Sequence, residues 1–313
     1  MVYVIGEALI DLVLQSSAGS GSDSYLAHPG GSPYNVAIGL ARLGQPSRLL
    51  ARLSGDAFGR QLRGHAQANQ VDLSLAVAAS EASTLAVVSL DADRNATYDF
   101  YRTGTADWQW TEAELSRLPA DAGWVHTGSI ASWTEPGASA IEARLAACTP
   151  ATVISYDPNI RPALLAEHAA GLAQVERLVA LSTVVKASAE DLTWLYPQRP
   201  LTEVLARWQA SGPSIVVVTD GGRGAQAIVA GSEPFTVAAR PVEVVDTVGA
   251  GDAFMSGLIN ALARDSVLAG VPDPDAVRAA VAEAILVAAL TCARAGANPP
   301  TAQELAAARQ PSH

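Results

Sequence analysis

The regular alternation of short β-branched runs with longer Ala- and Leu-rich stretches limits the possible folds most strongly. This alternation is typical of a mostly parallel sheet covered by helices on both faces, because parallel strands need crossover connections. The sequence predicts central strands at Tyr3–Ile5, Ser47–Arg52, Trp124–His126, Thr152–Tyr156, Thr183–Lys186 and Ile215–Thr219. It predicts helices around Tyr34–Leu43, Ala57–Ala68, Pro136–Ala147, Leu164–Leu178, Leu201–Ala210, Asp252–Arg264 and Asp275–Ala293. The expected fold class is therefore α/β.

Two segments, Leu9–Leu14 and Thr84–Tyr101, break the alternation because no helix follows either of them. Within the second, two strand-like runs flank the polar segment Asp91–Asn95, which predicts a hairpin. We expect strands from about 9–16 and 84–103 to form a small β subdomain beside the main sheet. An ordinary edge hairpin is the alternative.

Composition narrows the class of protein further. The 313 residues are 49% hydrophobic and 16% charged, which is enough for the large core of one domain spanning residues 1–313. The net charge of −11 argues against nonspecific nucleic-acid binding, and the longest apolar stretches, such as Ala284–Leu290, are too short to cross a membrane. Two cysteines give no disulfide framework, and Met1–Gly6 predicts a strand rather than a signal peptide, so we expect a cytoplasmic protein. The Gly/Ser-rich segment Ser16–Ser24 is expected to be a flexible loop.

The segment from Val244 to Phe254 carries the strongest functional signal. A strand-like run ends in Gly249-Ala250-Gly251, and an apolar helical pattern follows. Small residues leave backbone N–H groups uncovered at a helix N-terminus, where the dipole favours a phosphoryl group that gathers charge. Asp252 follows in the first turn, as a candidate base for a substrate hydroxyl during phosphoryl transfer. A simple helix cap is the alternative role for Asp252.

With this segment, the chain resembles the ribokinase-like (PfkB) carbohydrate kinases, and most of all the bacterial fructokinases. The C-terminal signature is Asp246-Thr-Val-Gly-Ala-Gly-Asp-Ala-Phe254, and the N-terminal signature is Gly30-Gly-Ser-Pro-Tyr-Asn-Val-Ala37. Three further stretches share the resemblance: Thr105–Trp108, Asp157–Pro162 and Lys186–Ser188. The resemblance covers nearly the whole chain. It implies a three-layer αβα domain with a β-sheet lid, an ATP-dependent transfer to a sugar hydroxyl, and a homodimer.

The resemblance also implies a sugar site after the first strand. Asp11 matches an aspartate that holds sugar hydroxyls, and Gly30-Gly31 allows a ligand to approach the backbone closely. Asn35 offers both a donor and an acceptor to a polyol. Phe100 and Arg102, at the end of the predicted hairpin, are expected to reach the sugar. Without the resemblance, a plain turn and a helix start would explain Gly30-Gly31 and Asn35.

We call Gly249-Ala250-Gly251 the anion-binding loop. The nucleotide is expected on the side of this loop that faces away from the sugar. Matching positions of the family imply nucleotide contacts at Lys186, Ser188, Thr219, Gly221, Gly224 and Asn298. Gly222–Ala227 also fits a dinucleotide fingerprint, but that motif needs a helix after it, and Ala225–Val229 is strand-like. There is no Gly-x4-Gly-Lys-Ser/Thr sequence, which excludes a P-loop kinase. Arg161 is the candidate cation near the transferred phosphate.

Two metal sites follow from the resemblance. Ser188–Asp191 occupies the place of the family's Asn-x-x-Glu segment, so Glu190 or Asp191 is expected to bind Mg²⁺ through water. Asp246 and the carbonyl of Val248, with the segment near Gly296, match in part a monovalent-cation site that would take K⁺.

D-Fructose is the expected substrate. 2-Keto-3-deoxygluconate is the alternative, since its carboxylate would suit Arg102. A noncatalytic sugar-binding relative is the alternative from another class of protein, and the intact Asp252 and anion-binding loop argue against it.

Overall fold

The computed structural model describes residues 1–15, 23–90, 96–165 and 167–309, and its largest element is an eight-stranded sheet. The strands are β1 Val2–Ile5, β2 Leu9–Gln15, β3 Ser24–Gly30, β4 Ser47–Leu50, β5 Arg52–Ser54, β6 Val77–Ala79, β7 Leu85–Leu90, β8 Ala96–Tyr101, β9 Trp124–Gly128, β10 Val153–Asp157, β11 Val184–Ser188, β12 Ile215–Thr219, β13 Ala225–Val229 and β14 Phe235–Val237. The helices are α1 Ser32–Arg42, α2 Ala57–Ala68, α3 Glu112–Leu115, α4 Gly137–Ala146, α5 His168–Leu181, α6 Ala189–Leu195, α7 Leu201–Ala210, α8 Ala250–Arg264, α9 Pro274–Cys292 and α10 Ala302–Ala308.

The large sheet has the order β14-β13-β12-β11-β10-β9-β1-β4, and its strands are parallel from β4 through β12. The apolar side chains of its strands are buried on both faces. One core lies between the sheet and α1, α2, α8 and α9, and the other lies between the sheet and α4, α5 and α7. The α/β prediction is confirmed, and the carboxyl ends of the parallel strands share one edge, where such sheets bind ligands.

A second, four-stranded sheet has the order β3-β2-β7-β8, and we call it the lid. The predicted hairpin is confirmed as the antiparallel pair β7 and β8, while its turn, Asp91–Asn95, lies outside the described residues. β3 was missing from the prediction because Pro29 and Gly30 are typical of turns. Pro29 is tolerated in β3 because β3 is an edge strand, where a proline nitrogen need not donate a hydrogen bond to a neighbouring strand.

Other departures from the prediction are local. The run Ser47–Arg52 divides at Ala51 into β4 and β5, and β5 pairs with β6 in a separate two-stranded sheet. β14, α6 and α10 were not predicted, since each is too short to show a clear period. Most of the predicted loop Ser16–Ser24 lies outside the described residues. In the described part of the chain, no helix has both the length and the apolar composition of a membrane span.

Candidate active site

The loop before α8 forms the centre of the site. Gly249 has φ 73°, and a Cβ there would lie 2.6 Å from the Cβ of Ala297, so only glycine fits this position. The N–H of Ala250 donates to the carbonyl of Thr247. The N–H groups of Gly251 and Asp252 follow in the first turn, where a helix offers no acceptor of its own. This end of α8 can therefore receive an anion.

Asp252 is buried, and its carboxylate points toward the start of α1 rather than to its own helix. Oδ1 accepts a hydrogen bond from Ser32 Oγ at 2.6 Å, and Oδ2 accepts one from Asn35 Nδ2 at 2.9 Å. Burial raises the pKa of Asp252, and the bonds from Ser32 and Asn35, with the charges of Lys186 and Arg161, offset part of that rise. Both oxygens of Asp252 bond to side chains of α1 rather than to N–H groups of α8, which argues against a simple helix cap.

Asp11 lies against Gly30, the first of the two glycines through which β3 leads into α1. A Cβ on Gly30 would lie 2.2 Å from Asp11 Oδ2, and a Cβ on Gly31, at φ 104°, would lie 2.7 Å from the carbonyl oxygen of Glu7. The pKa of Asp11 is raised to about 6, mainly by burial. The charge of Arg161 lowers this pKa, and the charge of Asp252 raises it further. Because the charges of Arg161 and Asp252 both act on Asp11, these three side chains lie close to one another.

Phe100 and Arg102 lie at the end of β8. Phe100 packs partly against the core beneath the lid, and its backbone is paired with Ala86. The side chain of Arg102 is half-buried and has no hydrogen-bond or ion-pair partner in the parts of the chain that are described. The cation that acts on both Asp11 and Asp252 is Arg161, whose Nη1 donates to Asn159 Oδ1 at 2.8 Å.

A cavity of about 570 Å³ opens on the other side of the loop. It lies between the ends of β11 and β12, the anion-binding loop, and one face of α9. Most of the predicted nucleotide and phosphate residues line it, namely Arg161, Lys186, Ser188, Glu190, Asp191, Thr219, Gly221, Gly224, Ala250 and Gly251. Asn298 is not among the lining residues. The fingerprint alternative fails here, since β13 follows Gly224 in place of a helix.

Sequence reasoning missed part of this cavity. Arg240, Val242 and Val244 line it from an irregular exposed segment with no recognisable motif. From α9 it is lined by Ile285, Ala288, Ala289 and Cys292. Their spacing of three and four residues is the same spacing that marks an ordinary core stripe, so the sequence alone gives no distinction. Ser32 was also missed as a partner of Asp252, although it begins the helix after Gly30-Gly31.

Lys186 lies beneath the anion-binding loop in a buried ion pair, with its Nζ 2.8 Å from Asp157 Oδ2. A Cβ on Gly251 would lie 3.1 Å from that Nζ, so the ammonium group is close to the start of α8. Burial alone would lower the pKa of Lys186, but the carboxylates of Asp157, Asp191 and Asp252 raise it above the usual range. The side chain is therefore a fixed positive charge beside the loop.

Glu190 and Asp191, the two candidate Mg²⁺ ligands at the start of α6, differ in their hydrogen-bond partners. Asp191 is buried, and it accepts hydrogen bonds from Ile160 N at 2.7 Å through Oδ1 and from Ser188 N at 2.8 Å and Ser188 Oγ at 2.7 Å through Oδ2. Glu190 is exposed and lines the cavity. A carboxylate that faces the cavity without such partners is better placed for a hydrated Mg²⁺.

Asp246 joins the anion-binding loop to the segment after α9. Its Oδ1 accepts from Val248 N at 3.0 Å and its Oδ2 from Gly296 N at 2.8 Å, while Asn298 N donates to the carbonyl of Gly296. Among the described residues, no three His, Cys, Asp or Glu side chains are grouped to hold a metal ion. A cation here would depend on Asp246 and backbone carbonyls.

Comparisons with known proteins indicate one family and one fold. The family model described as pfkB family carbohydrate kinase matches residues 1–304. The fructokinase of Rhizobium leguminosarum bv. trifolii is 36% identical over 268 residues, which are 86% of this chain and 81% of that protein.

Three solved structures share the fold over almost their whole length. The Xylella fastidiosa fructokinase with bound ATP superposes with a TM-score of 0.89 at 26% identity, covering 98% of this chain and 97% of that one. The Vibrio cholerae O395 fructokinase with fructose, ADP and calcium ion superposes with a TM-score of 0.85 at 29% identity, covering 99% and 98%. A double mutant of that enzyme with fructose, ADP and potassium ion superposes with a TM-score of 0.86 at 30% identity, covering 99% and 98%.

Proposed function

This chain belongs to the pfkB family of carbohydrate kinases, and on that premise we propose that it transfers the γ-phosphoryl group of ATP to a hydroxyl group of D-fructose. The observation that carries the proposal is the buried carboxylate of Asp252, held by Ser32 and Asn35 at the anion-binding end of α8. The similar fructokinases from Rhizobium, Xylella and Vibrio support fructose as the acceptor.

Asp252 acts as the general base. Its raised pKa makes it a stronger proton acceptor, and the sugar hydroxyl passes its proton to this carboxylate as its oxygen bonds to the γ-phosphorus, while the bond from that phosphorus to the bridging oxygen breaks and ADP leaves. The free N–H groups of Gly251 and Asp252 stabilise the charge that develops on the transferred phosphoryl group, while Gly249 and Ala250, whose N–H is bonded to Thr247, shape the loop. Arg161 supplies a cation to the same space. Because the transition state is loose, positioning and charge stabilisation account for most of the rate.

ATP occupies the 570 Å³ cavity. Lys186, Ser188, Thr219, Gly221 and Gly224 approach its phosphates, while the apolar side of α9 contacts the base. Asn298 does not line the cavity and stays a predicted nucleotide contact, on the segment that follows α9. Glu190 would hold Mg²⁺ through water, and Asp191 would act indirectly by ordering the start of α6.

K⁺ is proposed at the Asp246 loop, next to the carbonyl of Val248. The fit is reasonable because each oxygen of Asp246 accepts only one backbone N–H and keeps a lone pair. The potassium ion bound by the similar Vibrio enzyme supports this choice. K⁺ there would hold the anion-binding loop in place and would take no part in proton transfer.

The sugar lies between the lid and the start of α8. Asp11 and Asn35 bind its hydroxyl groups, Gly30 and Gly31 admit it close to the backbone, and Phe100 with Arg102 closes the lid side. We propose that the protein is a cytoplasmic homodimer joined through its lids. Tyr25, Leu26 and Tyr101 are 44%, 50% and 63% exposed on the lid, and a partner lid would cover them.

An ADP-coupled assay with a sugar panel tests the proposal. We expect kcat/KM to be higher for D-fructose than for ribose, glucose or 2-keto-3-deoxygluconate. ATP turnover should depend on the sugar and on Mg²⁺. Binding of fructose without any ATP turnover would instead support the noncatalytic alternative, and preference for another sugar would replace fructose while keeping the kinase.

A further inference from the structure

The chain passes between the lid and the main domain at four places. Three of them, the β1–β2, β6–β7 and β8–Asp107 connections, meet at the buried carboxylate of Asp107, and the fourth, from β3 to α1, rests on the first through Gly31. Asp107 follows β8 in a single helical turn and is only 1% exposed. Its Oδ1 accepts a hydrogen bond from Ala8 N at 2.8 Å, at the point where β1 leads into β2. Its Oδ2 has no hydrogen-bond partner in the part of the chain that the structure describes.

The start of β7 is joined to the same place. Thr84 Oγ1 lies 2.6 Å from Thr105 Oγ1, and the carbonyl of Thr84 accepts from Ile10 N at 3.1 Å. Contact with the Thr84 hydroxyl also lowers the pKa of Asp107, against the larger effect of burial. Beside it, Ala106 N donates to the carbonyl of Ala82 at 3.0 Å. The entry to β7 and the exit from β8 are therefore fixed to each other and to β2.

The Glu7–Ala8 segment connects this cluster to the sugar site. A Cβ on Gly31 would lie 2.7 Å from the Glu7 carbonyl oxygen and 3.3 Å from the Ala8 Cα, so the glycine backbone rests directly on this segment. From the opposite side, Glu7 Oε2 accepts from Ala131 N at 3.1 Å. Asp11, three residues beyond Ala8, in turn lies against Gly30. A shift of Ala8 would displace the residues that bind the sugar.

We infer that Asp107 is a positioning residue that fastens the lid to the main domain and holds the Glu7–Ala8 segment in place for sugar binding. It touches neither substrate, and it acts through Ala8 on Gly31 and Asp11. The inference rests on the proposed sugar site, but its effect on the lid can be measured without any sugar.

The test compares Asp107→Ala with Asp107→Asn. Alanine leaves the buried Ala8 N–H without an acceptor, whereas asparagine keeps an oxygen for it. We expect Asp107→Ala to raise KM for fructose by roughly tenfold or more, with KM for ATP within about twofold of wild type. Asp107→Asn should restore KM for fructose to within about threefold of wild type, because the lost hydrogen bond is regained.

Amide hydrogen exchange in the absence of ligand provides the independent measurement. Exchange should speed up in β2, β7 and β8 of Asp107→Ala and stay unchanged in β10 through β12. Ser182→Ala is the matched control, since it removes a buried hydrogen bond, from Ser182 Oγ to the Leu178 carbonyl, at the opposite end of the sheet. It should change neither KM nor lid exchange.

Thr84→Val provides a second route if Asp107→Ala does not fold. It removes a hydroxyl of the same cluster with little change in shape, and it should speed lid exchange and raise KM for fructose less than Asp107→Ala. Equal increases in both KM values, or unchanged lid exchange in the folded variants, would overturn the inference. If wild type does not phosphorylate fructose but the lid exchange changes as expected, the substrate is wrong and the fastening role stands.

Discussion

The phosphate-binding end of α8 and the lid differ in how their structure is encoded. The first is one continuous segment, in which a left-handed glycine, a helix start and Asp252 follow each other along the chain. The lid is assembled from separate segments, and its central pair joins Ile10 to Leu85 in parallel register. The order of residues along one segment therefore places the base beside the anion-binding N–H groups. The pairing of distant segments, by contrast, places the lid residues that would contact the sugar. Variants in the two regions should lose different functions.

The largest effect is expected at the phosphate end. Asp252→Asn removes the proton acceptor but keeps the shape that Ser32 and Asn35 contact. We expect kcat to fall by about 10²–10⁴-fold, while fructose and ATP still bind. Steady-state kinetics and calorimetric titration of each ligand would measure the two parts separately.

Asp265→Asn is the control for that variant, since Asp265 lies at the far end of the same helix and pairs with Arg264 on the surface. It should keep wild-type turnover. If Asp252→Asn also stays within tenfold of wild type, Asp252 is not the base, and the comparison between the two regions loses its catalytic side.

The next effect concerns stability, at the junction of the two regions. Burial raises the pKa of Glu7 from 4.5 to about 7, with hydrogen bonds from Ser129 and Ala131 lowering it and the charge of Asp107 raising it. Between those two values the folded protein holds a proton that the unfolded chain has released. Stability must therefore fall as pH rises through this window, by up to roughly 3 kcal/mol from this group.

Glu7→Gln removes the titration, so its free energy of unfolding should fall less than that of wild type between pH 5 and pH 8. Urea denaturation at each pH measures the difference. Asp107 and Asp11, whose pKa values are also raised, leave a residual decline of the same sign. Parallel curves for wild type and Glu7→Gln would show that Glu7 titrates normally.

The sequence predicted the phosphate-binding end of α8 more completely than it predicted the lid. The α/β class, the hairpin and the loop at Gly249 followed from local period and glycine placement. β3 did not, because Pro29 and Gly30 resemble a turn until the pairing with β2 is known. The stripe of α9 that faces the cavity did not either, because a ligand-facing stripe and a core-facing stripe have the same spacing.

The third effect tests the lid side alone. Asp11→Ala should weaken fructose binding by about 2 kcal/mol, roughly 30-fold in Kd, because charge-assisted hydrogen bonds to hydroxyl groups are lost. ATP affinity should not change. Asp99→Ala is the control, since Asp99 is exposed on β8 next to Phe100, whose side chain turns toward the core. Equal weakening of both ligands by Asp11→Ala would place Asp11 outside the sugar site.

The smallest effect is expected at Arg102, and it decides which substrate the lid suits. A keto acid would bring a carboxylate close to Asp11 and Asp252, and that repulsion must be offset by a cation. Arg161 already acts on both carboxylates, so among the described residues of the lid Arg102 is the candidate cation for the acid group. With fructose, which carries no charge, Arg102→Ala should lower kcat/KM by less than about tenfold. The measurement is the sugar panel on wild type and on Arg102→Ala. If the keto acid is the better substrate of wild type and loses about 10²-fold or more in the variant, an Arg–carboxylate contact selects the substrate. Fructose would then be the wrong acceptor, while the roles of α8 and Asp252 would be unaffected, since the two regions are encoded separately.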